Sequence, residues 1–305
     1  MTAGLWLRQT QATLEAAGIS TARLDSLVLM EDETGKDRGW LLSHPEFELQ
    51  GSVLKILNTK ITRRSQHIPL AYIRGQAEFY GREFAVNAHT LVPRPETETM
   101  VDLLKDFLSR HPELVSGSTR GDTRSSVATH GSRLGGRDDT GITLVDIGTG
   151  SGAIAITAKL ELPDARVIAT DIDDKCLATA RDNAKTLGAD ISFLSGSLLQ
   201  PLATYHLPLT TYLLCNLPYV PDNFQINRAA THEPRHALFG GSDGLDLYRE
   251  LFAQTQQLRE KPQYILTESL PPQHEVLAGI AETAGYALEK TDDFIQLFQN
   301  SSIVL

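Results

Sequence analysis

Cysteine, basic residues and long apolar runs are all scarce in this sequence. Cys176 and Cys215 are the only cysteines among 305 residues, and they lie far apart without metal-ligand spacing, so neither a disulfide framework nor a metal site is indicated. No apolar stretch reaches the ~18 residues that would span a membrane. The net charge of -10 argues against affinity based on neutralising nucleic-acid phosphates. We therefore expect a cytoplasmic protein, a monomer, with no membrane partner and no direct nucleic-acid binding.

The N-terminal region is predicted to be helical, because its apolar residues recur at intervals of three and four. Two such patterns are Leu24-Leu27-Val28 and Leu54-Leu57-Ile61. Arg63 and Arg64, near the end of this region, predict a solvated surface.

Strand formers, with Gly81 between them, predict a β-hairpin within residues 77–92. Pro93-Arg94-Pro95 then ends the extended run, and a helix is expected over 96–108. Residues 111–141 are rich in Ser, Gly, Thr and Arg and show no periodicity, which predicts an exposed, flexible insertion.

From residue 142 onward, short apolar runs alternate with helical patterns. Strands are predicted at 143–146, 166–170, 191–194, 212–215 and 264–267, and helices at 152–160, 174–187, 248–259 and 273–284. This alternation predicts an α/β fold, with a parallel sheet that helices cover on both faces. Ligands of such sheets bind beyond the carboxyl ends of the strands.

A glycine-rich turn follows the first of these strands, in Gly148-Thr149-Gly150-Ser151-Gly152. Glycine lets the backbone bend sharply and lets a ligand approach closely. The next strand leads into Asp171, which can accept hydrogen bonds from the ribose hydroxyls of an adenosine. Gly148, Gly150 and Ala153 also satisfy a loose dinucleotide pattern, so a nicotinamide oxidoreductase is an alternative on this motif alone.

The fourth strand leads into Asn216-Leu217-Pro218-Tyr219, which suits the binding of a planar NH2 group. The Asn216 side-chain oxygen and the Leu217 carbonyl can each accept one N–H. Pro218 fixes φ and so directs that carbonyl, and Tyr219 can stack on the planar group.

This tetrapeptide resembles the signature of methyltransferases that use S-adenosylmethionine and act on amino groups. Three further segments resemble the peptide chain release factor glutamine methyltransferases: Pro69-Leu70-Ala71-Tyr72-Ile73-Arg74-Gly75, Glu78-Phe79-Tyr80-Gly81 and Leu91-Val92-Pro93-Arg94-Pro95-Glu96-Thr97-Glu98. Downstream, Glu233-Pro234, Ala237-Leu238 and Gly244-Leu245-Asp246 also fit that family. The resemblance covers nearly the whole chain apart from 111–141.

The resemblance implies a helical domain at 1–75 that docks the release factor, a β-hairpin linker at 76–92 and a Rossmann-like methyltransferase domain at 93–305. It implies methyl transfer to the side-chain amide of the glutamine in the release factor's Gly-Gly-Gln motif. The glycine turn (Gly148, Thr149, Gly150, Ser151, Gly152), Asp171, Leu198 and Asn216 would bind the cofactor, and Asn216, Leu217, Pro218 and Tyr219 would hold the glutamine. Ser197-Leu198 replaces an Asp-aromatic pair that is common in the family near the adenine.

Three other functions share parts of this pattern. Methylation of an exocyclic amine on a nucleic-acid base needs the same NH2 geometry, although such enzymes usually carry a basic surface. A glutamine on a ribosomal protein is a second possible substrate. An inactive binding module that uses the helical domain is a third.

Overall fold

The structure is a computed structural model, which describes residues 1–111, 141–203, 207 and 211–302. The chain divides into two compact units. The first comprises Met1–Ala77, Ala85–Val92 and Gln225–Arg235, and the second Glu78–Phe84, Pro93–Phe224 and His236–Leu305. The domain boundaries expected at 75/76 and 92/93 stay a prediction. Residues 112–140 of the expected insertion lie outside the described residues.

The first unit contains five α-helices: α1 (Ala3–Ala16), α2 (Ala22–Thr34), α3 (Arg38–Ser43), α4 (Gly51–Ser65) and α5 (Leu70–Arg74). The α1 helix begins where the Thr2 side chain accepts the Leu5 N–H, and α2 ends at Gly35, whose φ of 63° is left-handed. The unit's core includes fully buried Trp6, Leu14, Leu29 and Leu57. The predicted helical character of this region is therefore confirmed.

Two details of this unit differ from the prediction. Leu24 is 45% exposed, whereas its neighbour Asp25 is buried. Asp25 pairs with Arg64 at 2.6 Å, and the Arg64 side chain is only 11% exposed. The prediction of a solvated surface is thus right for Arg63 but wrong for Arg64, because the carboxylate on another helix compensates the buried guanidinium charge.

The predicted hairpin is present as β1 (Gln76–Phe79) and β2 (Arg82–Ala85). Tyr80 and Gly81 connect these strands and have φ values of 53° and 68°. Two successive positive φ values are typical of the type I′ turn, whose twist matches that of a tight hairpin.

The second unit is built on a seven-stranded sheet flanked by helices. Its strands are β3 (Thr143–Ile147), β4 (Arg166–Asp171), β5 (Ser192–Ser195), β6 (Thr211–Cys215), β7 (Tyr264–Glu268), β8 (Tyr286–Asp292) and β9 (Ile295–Asn300). Its helices are α6 (Glu98–Arg110), α7 (Ala153–Glu161), α8 (Asp174–Leu187), α9 (Asp246–Thr255) and α10 (His274–Thr283). The strand order is β5-β4-β3-β6-β7-β9-β8. Two apolar clusters, one containing Leu144 and the other Val145, take alternate residues of the strands.

The sheet is not wholly parallel, which corrects the prediction. The five strands β3 to β7 are parallel, but β9 runs antiparallel to β7 and to β8. The edge strand β8 is mostly exposed and therefore lacks the apolar run by which the parallel strands were recognised. No helix within the described ranges is long and apolar enough to cross a membrane.

Candidate active site

The predicted site residues lie at one edge of the sheet. In the parallel register Ile147 at the end of β3 pairs with Thr170 of β4 and with Cys215 of β6. The segments that follow these three strands therefore leave the sheet side by side. The connection that leaves β3 leads to β4 on one side, whereas the connection that leaves β6 leads to β7 on the other side. Ligands of open α/β sheets bind where neighbouring connections diverge in this way.

The glycine turn after β3 requires glycine for conformation and for space. Gly148, Gly150 and Gly152 have φ values of 74°, 57° and 83°. A Cβ on Gly152 would lie 2.8 Å from Ile156 Cδ1, so this glycine also permits close packing. No atom lies within 4 Å of the Cβ position at Gly150, which leaves open space there. The turn thus combines a tightly packed inner side with an open outer side.

Asp171, at the end of β4, faces this turn. Its Oδ2 accepts the Gly150 N–H at 2.9 Å, and its Oδ1 accepts the Asp173 N–H at 2.9 Å. The residue is 8% exposed, and burial raises the pKa of its carboxyl. Each carboxylate oxygen can accept a further hydrogen bond. The next side chain, Ile172, is 69% exposed and offers an apolar surface beside the carboxylate.

Asp146 supports the turn from within β3. Its Oδ2 accepts the Thr149 hydroxyl at 2.6 Å and the Ala155 N–H at 3.1 Å. Burial raises the pKa of Asp146 to about 7. The Ser151 carbonyl accepts the Asn183 side-chain amide at 2.8 Å. The Thr149 hydroxyl and the Ser151 carbonyl are therefore both used inside the protein.

Leu198 is 7% exposed and belongs to the apolar cluster that contains Ile168 and Val145. Its φ is 48°, and its carbonyl accepts the Thr170 hydroxyl at 3.4 Å. Leu198 thus follows β5 near the end of β4, but most of its side chain lies in the core.

The tetrapeptide 216–219 follows β6 at the same edge. Asn216 Nδ2 donates to Thr97 Oγ1 at 3.0 Å, and Oδ1 lies at the other end of the amide, where it can accept a hydrogen bond. The Leu217 N–H donates to the Tyr248 hydroxyl at 3.2 Å. A Cβ on Gly148 would lie 3.3 Å from Leu217 Cδ2, so the glycine turn and the tetrapeptide are adjacent.

Residues 238–246 brace the backbone that follows Asn216. Val220 N–H donates to the Leu238 carbonyl at 2.9 Å, and Gly240 N–H donates to the Val220 carbonyl at 3.0 Å. A Cβ on Gly240 would lie 2.2 Å from the Pro218 carbonyl oxygen, and one on Gly244 would lie 2.0 Å from that of Tyr219. Glycine is therefore needed at both positions for the loop to pack against the tetrapeptide.

Glu268 is a site residue that the sequence reasoning missed. It ends β7, is fully buried, and accepts the Tyr219 hydroxyl through Oε1 at 3.0 Å. Burial raises the pKa of Glu268 to about 6, and the hydrogen bond from the Tyr219 hydroxyl acts against that rise. The other carboxylate oxygen, Oε2, has no hydrogen-bond partner among the described residues. The position of Glu268 at the end of a buried parallel strand was the available signal, because the same rule located Asp171 and Asn216.

Known proteins resemble this chain along most of its length. Residues 6–75 match the family described as PrmC N-terminal domain, and residues 144–226 match the family described as Methyltransferase domain. A release factor glutamine methyltransferase of Enterococcus faecalis is 34% identical over 83% of this chain and 80% of that protein. A protein of the same name from Deinococcus radiodurans is 30% identical over 94% of this chain and 92% of its own length.

A bifunctional methyltransferase of Rickettsia felis is 31% identical over 93% of this chain, which spans 54% of that protein. The chain belongs to the release factor glutamine methyltransferase family.

Proposed function

We propose that this protein transfers the methyl group of S-adenosylmethionine to the side-chain amide nitrogen of the glutamine in the Gly-Gly-Gln motif of peptide chain release factors. The observation that carries the proposal is the orientation of Asn216. Its amide nitrogen is held by Thr97, so its oxygen is available to an N–H donor beside the glycine turn.

The residues after β3 and β4 suit the cofactor. The open side of Gly150 has room for the methionine part, and Asp171 retains acceptor capacity for the two ribose hydroxyls. Ile172 would cover one face of the adenine, with Leu198 near its other edge. When bound, S-adenosylmethionine supplies an electrophilic methyl group on a positively charged sulfur.

The chain's own contribution at the substrate end is positioning. The Asn216 oxygen and the Leu217 carbonyl each accept one N–H of the glutamine amide, while Pro218 and the Tyr219 ring limit its movement. A new C–N bond forms as the C–S bond breaks, and the surplus N–H proton then passes to solvent. The two acceptors stabilise the positive charge that grows on nitrogen, so preorganised dipoles supply much of the acceleration.

A transfer assay tests this function. The full chain is incubated with methyl-labelled S-adenosylmethionine and purified release factor, and digestion followed by mass spectrometry locates the added methyl group. We expect label on the Gly-Gly-Gln glutamine and none when that glutamine is replaced by alanine. Label found only on ribosomal proteins or only on nucleic acid, in parallel incubations, would instead support the corresponding alternative.

Asn216→Ala tests the site itself. Removing one of two acceptors from the reacting nitrogen should lower kcat on the order of 10²- to 10³-fold. Cofactor affinity, measured by calorimetric titration, should change far less, since Asp171 and the glycine turn are untouched. Near-normal turnover in this variant would refute the assignment of Asn216.

A further inference from the structure

The proposed substrate acceptors lie beyond the end of β6, where the ladder hydrogen bonds of the sheet stop. The pairing of β6 with β3 and with β7 ends at Cys215, so residues 216–219 continue past the sheet. The Tyr248 hydroxyl accepts the Leu217 N–H and holds the near part of this stretch. The Leu217 carbonyl keeps one direction only if the far end, at Tyr219, is held as well.

The side chain of Gln273 contacts that far end. Its Nε2 donates to the Tyr219 carbonyl at 2.8 Å and to the Asp243 carbonyl at 2.7 Å, and its Oε1 accepts the Leu270 N–H at 2.9 Å. A side-chain amide has two N–H donors and one oxygen, so both donors and the oxygen are engaged. A reversed amide would direct its oxygen at two carbonyl oxygens. The network therefore fixes the orientation of this side chain.

The three partners of this amide belong to three separate segments of the second unit. One is the end of the tetrapeptide, one is the 238–246 loop, and one is the connection between β7 and α10. The loop passes directly over the contact, because a Cβ on Gly244 would lie 2.0 Å from the Tyr219 carbonyl oxygen and 2.4 Å from Gln273 Nε2. Gln273 is 7% exposed, so water has little access to replace these hydrogen bonds.

The same connection after β7 also holds the side chain of Tyr219. The Tyr219 hydroxyl donates to Oε1 of Glu268, the last residue of β7, at 3.0 Å. The backbone carbonyl and the ring hydroxyl of Tyr219 are thus both bound by one short part of the chain. Rotation of the peptide group and rotation of the side chain are therefore both restricted.

We propose that Gln273 is a positioning residue, which holds Tyr219 and the 238–246 loop together so that the tetrapeptide has its working shape before the substrate binds. Groups that are arranged in advance need no reorganisation when charge develops on the reacting nitrogen. This inference rests on the proposed function for its effect on turnover, whereas the holding of Tyr219 is a property of the free protein.

Three variants separate the hydrogen bonds from packing. Gln273→Glu has the same shape and keeps an acceptor for the Leu270 N–H, but a carboxylate has no N–H to donate. Gln273→Met keeps the length of the side chain and removes both functions. Gln296→Met is the matched control, because Gln296 is 1% exposed and its Nε2 donates at 3.3 Å to the His274 carbonyl rather than to the tetrapeptide.

Native-state hydrogen exchange on the full chain without ligands is the first measurement. The Val220 N–H donates to the Leu238 carbonyl and the Gly240 N–H to the Val220 carbonyl, so these two amides report on the contact between the loop and the tetrapeptide. We expect both to exchange about 10-fold faster or more in the two Gln273 variants, with the amides of β6 unchanged. Unchanged exchange of both amides, or equal acceleration in Gln296→Met, would overturn the proposal.

Kinetics with S-adenosylmethionine and release factor provide the second measurement, with turnover expressed per cofactor-binding site so that unfolded protein does not lower kcat. Both Gln273 variants should lower kcat on the order of 10- to 100-fold, with cofactor affinity within about twofold of the wild type, and Gln296→Met should have normal kcat. Normal kcat in both Gln273 variants, or an equal loss of cofactor affinity, would overturn the proposal. If Gln273→Glu fails to fold, Gln273→Met alone decides. Wild-type protein that does not methylate release factor would refute the proposed function, and hydrogen exchange would still decide whether Gln273 holds Tyr219.

Discussion

Removal of the Tyr248 hydroxyl should destabilise the second unit and slow turnover together. This hydroxyl lies between the ends of β6 and β7. The hydroxyl oxygen accepts the Leu217 N–H at 3.2 Å. As a donor, the hydroxyl lies 2.5 Å from the Glu268 carbonyl oxygen and 3.1 Å from the Cys215 carbonyl oxygen. Tyr248 is fully buried, so water cannot replace these bonds.

The magnitude follows from the groups that Tyr248→Phe leaves unpaired. A buried Leu217 N–H without an acceptor costs about 1–3 kcal/mol. Loss of the bond donated to the Glu268 carbonyl adds about 1 kcal/mol. We therefore expect the free energy of unfolding to fall by about 2–4 kcal/mol. Since the Leu217 N–H positions the residue whose carbonyl is proposed to hold the substrate, kcat should fall as well.

Tyr286→Phe is the matched control in the same unit. The Tyr286 hydroxyl is also buried, but it makes one hydrogen bond, to the Pro262 carbonyl at 3.1 Å. We expect a loss of about 1 kcal/mol and normal turnover. Native-state hydrogen exchange of the amides in β6 and β7 measures the free energy of unfolding of the second unit in both variants. Equal destabilisation by the two substitutions, or normal turnover of Tyr248→Phe, would refute the reasoning.

Three further predictions concern buried carboxylates. Asp171→Asn should weaken binding of S-adenosylhomocysteine about 10-fold or more in calorimetric titration, because hydrogen bonds to a charged acceptor are lost. The control Asp173→Asn, which keeps a helix-capping side chain, should leave this affinity unchanged. The pKa of Asp146 is about 7, above the pKa of an aspartate in an unfolded chain, so the free energy of unfolding should fall as pH rises from about 4 to 7. Urea titrations at several pH values should show a weaker dependence of that free energy on pH for Asp146→Asn than for the wild type. The same dependence in both proteins would contradict this reasoning. Asp25→Ala leaves the largely buried charge of Arg64 without its partner and should lower the free energy of unfolding in urea by about 3–5 kcal/mol. The double variant Asp25→Leu with Arg64→Met, which removes both charges, should largely recover that loss. A loss below about 1 kcal/mol in Asp25→Ala would contradict the importance of the buried pair.

Local rules were sufficient for several elements of this protein. The glycine turn after β3, the acidic residue that ends β4 and the tetrapeptide after β6 were all predicted, because each lies at the carboxyl end of a recognisable apolar strand and parallel strands end at one edge. The hairpin at Gly81 was predictable because two successive positive φ values favour glycine in the turn. The glycine pattern alone also allowed a nicotinamide cofactor, and family membership shows that this alternative is wrong.

Other features depend on partners that are distant in the chain. No local sequence pattern indicates that the side chain of Thr97, 119 residues from Asn216, contacts the Asn216 amide. The contact between Glu268 and Tyr219 is equally invisible in the sequence. The same applies to Asp25 and Arg64, where a charged residue on a helix would ordinarily face solvent. The edge strand β8 escaped prediction because an exposed strand has too few apolar residues to be recognised. The buried strand β9 was missed as well, because in IQLFQN polar residues interrupt the apolar run that marks the parallel strands.

The sequence by itself therefore determined where the chain turns, which strand ends carry polar groups and which family the protein resembles. Only the tertiary structure decided how the Asn216 amide is oriented and what holds the Leu217 backbone. The physical reason is that backbone conformation and strand burial depend on neighbouring residues, whereas the direction of a hydrogen bond depends on the acceptor that folding brings to it. At Asn216-Leu217-Pro218-Tyr219 the acceptors and donors come from α9, from the end of β7 and from the turn before α6.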